Sequence, residues 1–382
     1  MMVHVYGKYD ARVPFRTFMV KVSSEFIFPR TGLTVRNRTV LAALTNKQSL
    51  EDGTLSDDER NWLTMRAKGG FGIVTTAATN VTQTGRGWKG EFGVWSEHHL
   101  PGLTKLADEL TQYGALSLVQ LFHGGMRAPM NITGVQPVSA SKNTDSSMDG
   151  VVSKELTSDE IEEIITAFGD AAERCERAGF SGVELHGAHS YLISQFLGPL
   201  TNRRTDEWGG ELQERALFLK QIVETVRAKT SEKFLVGVRL SPTIRDLGIT
   251  LEESLQVAKW CADWNLDFLH VSCWDIFQKK QSLSGDEHTL TKWFSDHLDG
   301  RIPIITTGKI WNATDVEFAI KEGADLVGVG RAGIAHHDWP EQLERANIPS
   351  KPPFSIEHLR KAGLSTTFIQ YMIKWGGFVE DN

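Results

Sequence analysis

Two histidines and a tyrosine lie within six residues of one another, directly after a short apolar segment. His186, His189 and Tyr191 follow residues 182–185, which have the composition of a buried strand. Two imidazoles and a phenol at this spacing can direct three hydrogen-bonding groups at one small ligand. The same residues could equally be interior histidines with satisfied hydrogen bonds beside a packing aromatic. The spacing fits both interpretations, so the choice between them depends on the strands and helices that position these side chains.

Length and composition limit the classes of protein that come into question. A chain of 382 residues can form two average domains or one large α/β barrel. Hydrophobic residues at 40%, charged residues at 23% and a net charge of -7 are typical of a soluble globular protein. No basic stripe offers the positive charge that binding to a phosphate backbone needs, so we expect no nucleic-acid partner.

The cysteines and the first segment of the chain favour a reducing, cytoplasmic setting. Cys175, Cys261 and Cys273 lack the paired spacing of a disulfide framework, an iron–sulfur site or a zinc site. No run of about 18 apolar residues is present, so we expect no membrane span. Residues 1–25 lack the long apolar core of a secretory signal. We interpret them as an N-terminal extension, with a mitochondrial-type leader as the alternative.

Short β-branched apolar runs alternate with longer amphipathic stretches from residue 38 onward, which is the pattern of repeated βα units. The eight predicted strands are residues 40–44, 71–78, 116–122, 182–186, 234–240, 268–273, 303–307 and 325–330. Near-continuous apolar runs are expected for parallel strands that are covered on both faces. The pattern predicts an α/β fold, a single (β/α)8 TIM barrel over residues 26–350, followed by a C-terminal tail over 351–382. An open doubly wound sheet is the alternative, but no GxGxxG motif follows the first strand.

The helices between these strands have recognisable start signals. Ser56, Thr157 and Thr250 are each followed three residues later by a glutamate, the spacing of a reciprocal N-terminal cap. After Thr157, isoleucines and Phe168 recur at period 3.6 and predict a helix that packs one face on the barrel. Residues 139–150, rich in Gly, Ser and Asp, are predicted to form a long surface loop.

The loops that leave the C-terminal ends of the strands build the active site in such a barrel, and those after strands seven and eight commonly hold a phosphate. Gly308 and Gly330 lie in these two loops and permit a close approach of the backbone. Arg331 adds a fixed positive charge. The glycines could serve only to form tight turns, but their combination with an arginine favours a phosphate site.

Two further polar residues suit an electron-accepting ring. Arg239 ends an apolar central strand, a costly placement unless it meets an anion, an electron-rich ring or an acidic neighbour such as Glu184. Gln120 has the donors and the acceptor to bind the edge of a uracil-like ring, or is a plain interior amide. Together with the phosphate site, these residues predict a phosphorylated heterocycle across the barrel mouth. Flavin mononucleotide (FMN) meets every requirement.

One long block of sequence is highly specific: VELHGAHSYLI at 183–193, QFL at 195–197 and PLTNRRTDEWGG at 199–210. Shorter matching motifs are Asn37-Arg38, Gln120-Leu121, His123-Gly124-Gly125, Val238-Arg239-Leu240-Ser241, Gly308-Lys309-Ile310 and Gly328-Val329-Gly330-Arg331. On these motifs the chain resembles the Old Yellow Enzyme family of FMN-dependent ene-reductases, also called NADH:flavin oxidoreductases. The resemblance covers roughly residues 26–345.

The resemblance implies a reaction and three catalytic residues. His186 and His189 take the places of the pair that holds a carbonyl, nitro or phenolate oxygen of the substrate over the flavin, and Tyr191 takes the place of the general acid. Polarisation of a carbonyl makes the β-carbon of an activated alkene electrophilic, so reduced flavin delivers hydride there and the phenol protonates the α-carbon. NADH or NADPH would reduce the flavin first and leave before the alkene binds.

The predicted cofactor site consists of residues at the ends of strands and in the loops that follow: Ala43, Thr45, Ala78, Gln120, Arg239, Thr307, Gly308, Gly330 and Arg331. The resemblance implies that Thr45 lies beside the O4/N5 edge of the flavin and that Ala78 and Gln120 hold the ring. It also implies that Arg239 faces the N1/O2 side and that Arg331, with the preceding glycine, binds the phosphate.

The sequence departs from the family pattern at several positions. Thr45 occupies a position where one subgroup has a cysteine that modulates the flavin potential. Met126 stands where many members have an arginine, with Arg127 one residue later, which puts the contacts of that loop in doubt. Ala77 replaces an acidic residue that is often found at the end of strand two.

Two other functions are compatible with parts of this pattern. An FMN barrel could perform a dedicated redox or isomerisation step on one metabolite. A metal-dependent hydrolase could use His186 and His189 as ligands, but no carboxylate lies at ligand spacing, so we predict no metal site. The physiological substrate, the choice between NADH and NADPH and the oligomeric state are left open by these residues.

Three long loops are expected to set substrate specificity, residues 80–95, 126–150 and 274–289. They contain Trp88, Trp95 and Trp274, which suggest a flat or apolar ligand, although surface packing would explain them equally well.

Overall fold

Eight parallel strands close into a barrel in which each strand pairs with its neighbours in chain order. The computed structural model describes residues 22–148, 150–281 and 285–381. The barrel strands, β1 to β8, are Thr39–Leu41, Ile73–Asn80, Leu116–Phe122, Gly182–Gly187, Leu235–Leu240, Phe268–Ser272, Ile304–Thr307 and Leu326–Val329. The eighth strand pairs with the first and closes the ring, with Val329 opposite Leu41. The (β/α)8 prediction is confirmed, with every strand end within three residues of its predicted position, and the doubly wound alternative is wrong.

Helices surround the barrel and cover the outward faces of the strands. The helices α1 to α14 are Asp57–Lys68, Leu100–Gln112, Met130–Thr133, Ser158–Arg177, Leu192–Leu197, Leu212–Arg215, Leu217–Lys229, Leu251–Asp263, Leu290–Leu298, Ala313–Lys321, Arg331–Ala335, Trp339–Glu344, Ile356–Lys361 and Thr366–Ile373. In α4 the predicted apolar face, including Ile161 and Phe168, is buried. With helices on one side and the barrel interior on the other, both faces of the strands are buried, which explains their continuous apolar sequences.

The three predicted reciprocal caps form only in part. At Thr157 the hydroxyl accepts from the Glu160 backbone, and the Glu160 carboxylate accepts from the Thr157 backbone. Ser56 and Thr250 accept from the expected backbone N–H groups. The glutamates three residues later, however, bind side chains of other elements. For those two helices the reciprocal prediction is wrong, because tertiary partners compete for the carboxylate.

The N-terminal end of the barrel is closed by a small hairpin. Strands Phe26–Ile27 and Thr34–Val35 pair antiparallel, and Phe28 between them is fully buried. Phe28 and Val35 form a separate apolar cluster with the first residues of the barrel strands, namely Val40, Ile73, Leu118, Leu235, Phe268, Ile305 and Leu326. Among the described residues, the barrel is therefore open to a ligand at the opposite, C-terminal end of the strands.

The segment predicted as a long surface loop, residues 139–150, is buried over its first part. Ser139, Ala140 and Ser141 are almost fully buried. Asn143 donates hydrogen bonds from its side-chain amide to the Ser139 hydroxyl and to the Thr201 carbonyl. The surface-loop prediction is thus wrong for this part, because polar side chains satisfy the buried backbone there.

Residues after 350 pack against the barrel and continue its hydrophobic core. Helix α14 places Phe368 edge-on against Trp62 of α1, with ring centroids 5.3 Å apart. The backbone N–H of Ser365 donates to the side chain of Gln48. The predicted extension over residues 1–25 lies mostly outside the described residues. Within the described part of the chain, no helix is both long and apolar enough to cross a membrane.

Candidate active site

A cavity of about 570 Å³ opens at the C-terminal ends of the strands, a volume typical of small-molecule sites. The structure brings all twelve predicted site residues to its walls: Ala43, Thr45, Ala78, Gln120, His186, His189, Tyr191, Arg239, Thr307, Gly308, Gly330 and Arg331. They come from seven different strands and the loops behind them. Residues that are far apart in sequence thus share one chamber.

His186 is the second-last residue of β4 and is buried at the wall of the cavity. The backbone N–H of Ala188 donates to its Nδ1 atom over 3.3 Å. In the neutral ring the proton therefore resides on Nε2, which has no partner among the described residues. His186 can donate that N–H to a ligand.

His189 is held in the opposite tautomer by Ser272. The Ser272 hydroxyl oxygen accepts from Arg239 Nε at 3.2 Å and Nη2 at 3.0 Å, so its hydrogen is free for His189 Nε2, 2.8 Å away. The proton of the neutral His189 ring then resides on Nδ1. His189 and Ser190 both adopt positive φ, 59° and 63°, a costly conformation for two consecutive non-glycine residues. This turn places His189 beside His186, with ring centroids 5.0 Å apart.

The protonation of both histidines is set by their surroundings. Burial is the largest cause that lowers the pKa of His186, and the neighbouring His189 ring and the positive charge of Arg239 lower it further. Desolvation in the cleft and then Arg239 lower the pKa of His189 in the same way. Both imidazoles are therefore neutral near pH 7, so each presents one N–H donor.

Tyr191 packs edge-on against His186 and Phe122, with ring centroids 5.0 and 4.5 Å away. Burial raises the pKa of its phenol, an effect that the positive charge of Arg127 opposes. The phenol is thus protonated near pH 7, and its hydroxyl has no hydrogen-bond partner among the described residues. The Tyr191 hydroxyl can therefore donate a hydrogen bond to a ligand beside the two imidazoles.

Arg127 supplies the contact that the sequence left in doubt at position 126. Its guanidinium lies 5.0 Å from the centre of the Tyr191 ring and donates to the His189 carbonyl over 2.9 Å. Met126 is buried in the apolar core instead. The loop therefore contacts His189 and Tyr191 through Arg127 and not through Met126.

Arg239 carries a positive charge into the floor of the cavity. Its hydrogen bonds go to the Ser272 hydroxyl and, at 3.5 Å, to the Ala43 carbonyl. No carboxylate of the described residues lies within ion-pair distance of it. The alternative of an ion pair with Glu184 is wrong, because Glu184 pairs with His270 at 2.6 Å. The guanidinium thus remains available to an anionic or electron-rich ligand.

The opposite end of the cavity has the features of an anion site. A Cβ at Gly308 would lie 2.4 Å from the Cys273 carbonyl oxygen, so only glycine permits this close packing of two loops. Lys309 is paired with Asp275 at 2.9 Å. Arg331, 5.9 Å from the centre of the Trp311 ring, has no carboxylate partner in the described ranges. Arg331 is therefore the charge at this end that a ligand would meet.

The C-terminal segment contributes a wall of the cavity that the sequence did not reveal. Tyr371 and Met372 of α14, and Trp375 after it, line the chamber. The side chain of Tyr371 lies near that of Thr45, and Lys47 lies 5.1 Å from the centre of the Tyr371 ring. No motif marks these residues, because their place depends on how the tail packs and not on a strand end.

The tryptophans of the long loops do not share one role. Trp88 and Trp274 line the cavity, and Trp274 is 76% exposed at its mouth. Trp95 instead packs against His98 and His99. Among the described residues no group of three or more histidines, cysteines or carboxylates could hold a metal ion.

Comparisons with known proteins identify relatives over most of the chain. The profile described as “NADH:flavin oxidoreductase / NADH oxidase family” matches residues 31–349. A Bacillus subtilis protein named “Probable NADH-dependent flavin oxidoreductase YqiG” is 36% identical over 321 residues, which are 82% of this chain and 86% of that protein. An NADPH dehydrogenase of Clostridium acetobutylicum is 34% identical over 85% of this chain and 96% of its own length. The solved structure of an Old Yellow Enzyme homologue from Zymomonas mobilis superimposes with a TM-score of 0.76 at 27% identity, covering 89% of this chain and 96% of that one.

Proposed function

We propose that this chain, a member of the NADH:flavin oxidoreductase / NADH oxidase family, reduces the C=C bond of α,β-unsaturated carbonyl or nitro compounds. It is an FMN-dependent NAD(P)H oxidoreductase of the Old Yellow Enzyme type. The observation that carries the proposal is the convergence of three groups on one wall of the cavity. These groups are the neutral imidazoles of His186 and His189 and the protonated phenol of Tyr191.

The cavity residues fit FMN at both of its polar ends. Arg331 beside the Gly308 turn suits the phosphate, since the guanidinium lacks a carboxylate partner and the glycine leaves the loop backbone open. Arg239 suits the N1/O2 side of the ring, where negative charge accumulates on reduction. Thr45, Ala78 and the other predicted cofactor residues would line the ring between these two charges.

When bound, FMN would supply the redox chemistry, the transfer of two electrons, as a hydride, from NAD(P)H to the alkene β-carbon. His186 and His189 donate N–H groups to the carbonyl or nitro oxygen and stabilise the negative charge that develops there. Tyr191 gives its phenolic proton to the α-carbon, and a solvent proton restores the phenol. Overall, NAD(P)H, one proton and the alkene yield NAD(P)⁺ and the saturated product.

The direct test is an anaerobic titration of the purified protein. We expect flavin absorbance bands that bleach on addition of NADPH or NADH and return on addition of 2-cyclohexenone, with cyclohexanone as the product. A protein that cannot be reconstituted with FMN would contradict the proposal. A flavin that bleaches but is not reoxidised by activated alkenes would instead indicate a dedicated metabolite as substrate.

The proposed phosphate contact predicts a selective loss of affinity in Arg331→Ala. Because a hydrogen bond to a charged group contributes about 1.5–3 kcal/mol, the dissociation constant for FMN should rise about 10- to 100-fold. Riboflavin, which lacks the phosphate, should bind wild type and variant equally. Fluorescence titration of the apoprotein measures both constants. Arg345→Ala removes an exposed arginine outside the cavity and is the control; equal losses for FMN and riboflavin in Arg331→Ala would contradict the assignment.

The protonation states predict that alkene reduction does not depend on pH between about pH 7 and pH 9. The pKa values of His186 and His189 are lowered from 6.5, so both rings are already neutral at the lower end of this pH range. The pKa of Tyr191 is raised from 10.0, so the phenol keeps its proton throughout this range. Stopped-flow reoxidation of the reduced enzyme by 2-cyclohexenone gives the rate constant. A rate that changes tenfold per pH unit in this window would show that one of these three groups titrates there.

A further inference from the structure

A chain of four buried side chains crosses the barrel just below the cavity floor. Gln120 of β3 donates from Nε2 to Glu184 Oε1 at 2.6 Å, and Glu184 of β4 pairs through Oε2 with His270 Nδ1 at 2.6 Å. His270 of β6 in turn pairs through Nε2 with the hydroxyl of Thr307 at the end of β7. The two ends of the chain, Gln120 and Thr307, line the cavity, while Glu184 is only 1% exposed.

The charge state of the chain follows from its surroundings. Burial alone would raise the pKa of Glu184, but the neighbouring His270, which donates a hydrogen bond to it, the charge of Arg239 and the amide of Gln120 together lower it. Burial is the largest influence on His270 and lowers its pKa, with Arg239 acting in the same direction and Glu184 against it. Glu184 is therefore an anion and His270 a neutral ring near pH 7. The charges of Glu184 and Arg239 balance each other within the barrel.

An ionised carboxylate can only accept hydrogen bonds, so Glu184 fixes the direction of every bond in the chain. Gln120 must turn its N–H toward Glu184, which leaves its carbonyl oxygen without a partner among the described residues. His270 must hold its proton on Nδ1, so its Nε2 accepts the hydroxyl hydrogen of Thr307. Both ends of the chain thus offer oxygen lone pairs to the cavity.

We infer that Glu184 and His270 are positioning residues that set how strongly the site favours reduced over oxidised FMN, an inference that rests on the proposed placement of the flavin. Glu184 offsets the positive charge of Arg239 beneath the ring, and this weakens the preference of the site for the more negative, reduced cofactor. His270 keeps Glu184 ionised by donating to it. The chain also presents Gln120 as an acceptor, which suits an N–H on the ring edge.

Glu184→Gln tests this inference, because the side chain keeps its size and loses its charge. The new amide can still accept from Gln120 and donate to His270, which then shifts its proton to Nε2. We expect the affinity for reduced FMN, relative to oxidised FMN, to rise at least tenfold. For a two-electron couple that ratio is an increase of about 30 mV in the reduction potential of the bound flavin. Dye equilibration measures the reduction potential of the bound flavin, and fluorescence titration measures the affinity for oxidised FMN. Neither measurement needs an alkene.

The matched control is Asp325→Asn, which neutralises a carboxyl at the far, N-terminal end of β8, where it accepts from the Ile304 backbone. It should leave the potential unchanged. A parallel loss of affinity for both redox forms in Glu184→Gln, with an unchanged potential, would show a purely structural role and overturn the inference. If the proposed alkene reduction is wrong, enones will not reoxidise the flavin of the wild type. The reduction potentials of the wild type and Glu184→Gln can still be compared in that case. A wild-type chain that binds no FMN would overturn both.

If Glu184→Gln does not fold, His270→Leu carries the test. The charged and titratable groups facing His270 are Glu184 and Arg239, with His186 and His189 beside them. Without the imidazole donor, Glu184 protonates more readily, so the potential should rise above that of the wild type as the pH is lowered from 9 to 6. A difference from the wild type that is zero at every pH would overturn the inference.

Discussion

Tyr191→Phe is expected to slow reoxidation of the reduced enzyme by 2-cyclohexenone by a factor of about 10² to 10⁴, the usual contribution of a positioned proton donor. The phenol is protonated near pH 7 and lies against His186, so its loss removes the proton for the α-carbon while the packing of the ring is kept. Reduction of the flavin by NAD(P)H needs no proton from this residue and should keep its wild-type rate. Stopped-flow measurement of the two half-reactions separates these effects.

Tyr371→Phe is the matched control, because it removes a second phenol from the same cavity. Its hydroxyl lies near Thr45, and we expect the alkene half-reaction to change by less than about tenfold, the effect of at most one ordinary hydrogen bond. If Tyr371→Phe loses the alkene reaction and Tyr191→Phe retains it, the proton donor has been assigned to the wrong tyrosine. If neither variant is impaired, the proton comes from solvent.

His186→Ala is expected to reduce the rate of the alkene half-reaction by about 10² to 10³, the typical cost of removing one preorganised donor to a developing oxyanion. The backbone N–H of Ala188 holds the imidazole with Nε2–H toward the cavity, so the donor needs no reorganisation during the reaction. His186→Asn restores an N–H donor at a similar position and should recover at least tenfold of the loss. Single-turnover rates with saturating 2-cyclohexenone measure the effect.

Two checks keep this prediction specific. The flavin absorbance of His186→Ala should equal that of the wild type, so that the loss is not a loss of cofactor. His297→Ala, which removes an exposed histidine of α9 outside the cavity, should have no effect. A variant His186→Ala that binds the alkene more weakly but turns it over at the wild-type rate would show that His186 serves binding alone.

The barrel and most of the site could be predicted from sequence because the same strands form the barrel and carry the site residues at their ends. Parallel strands covered on both faces have continuous apolar sequences, and polar residues at their C-terminal ends are brought together by closure of the barrel. That logic led to Gln120, His186 and Arg239 without any knowledge of their contacts. The sequence pattern did not show which groups these side chains would bind. The sequence allowed an ion pair between Arg239 and Glu184. In the structure Arg239 donates to Ser272, and Glu184 is hydrogen-bonded to His270.

The parts that were missed depend on contacts between distant segments. Tyr371 and Trp375 lie in the cavity because α14 packs against α1, and nothing in their own sequence records that contact. Ser139 and Asn143 have the composition of a surface loop, yet they are buried because polar partners in α5 and in the segment after it satisfy them. A polar composition predicts exposure only where no such partners exist.

The wall formed by α14 has a consequence for the biogenesis of the enzyme. Domains generally fold as units, and the N-terminal part of a chain is synthesised first. All eight strands leave the ribosome before residues 371–375, so the barrel can close around its core while the chamber above it still lacks Tyr371 and Trp375. The chamber is therefore complete only once residues 371–375 have docked against the barrel.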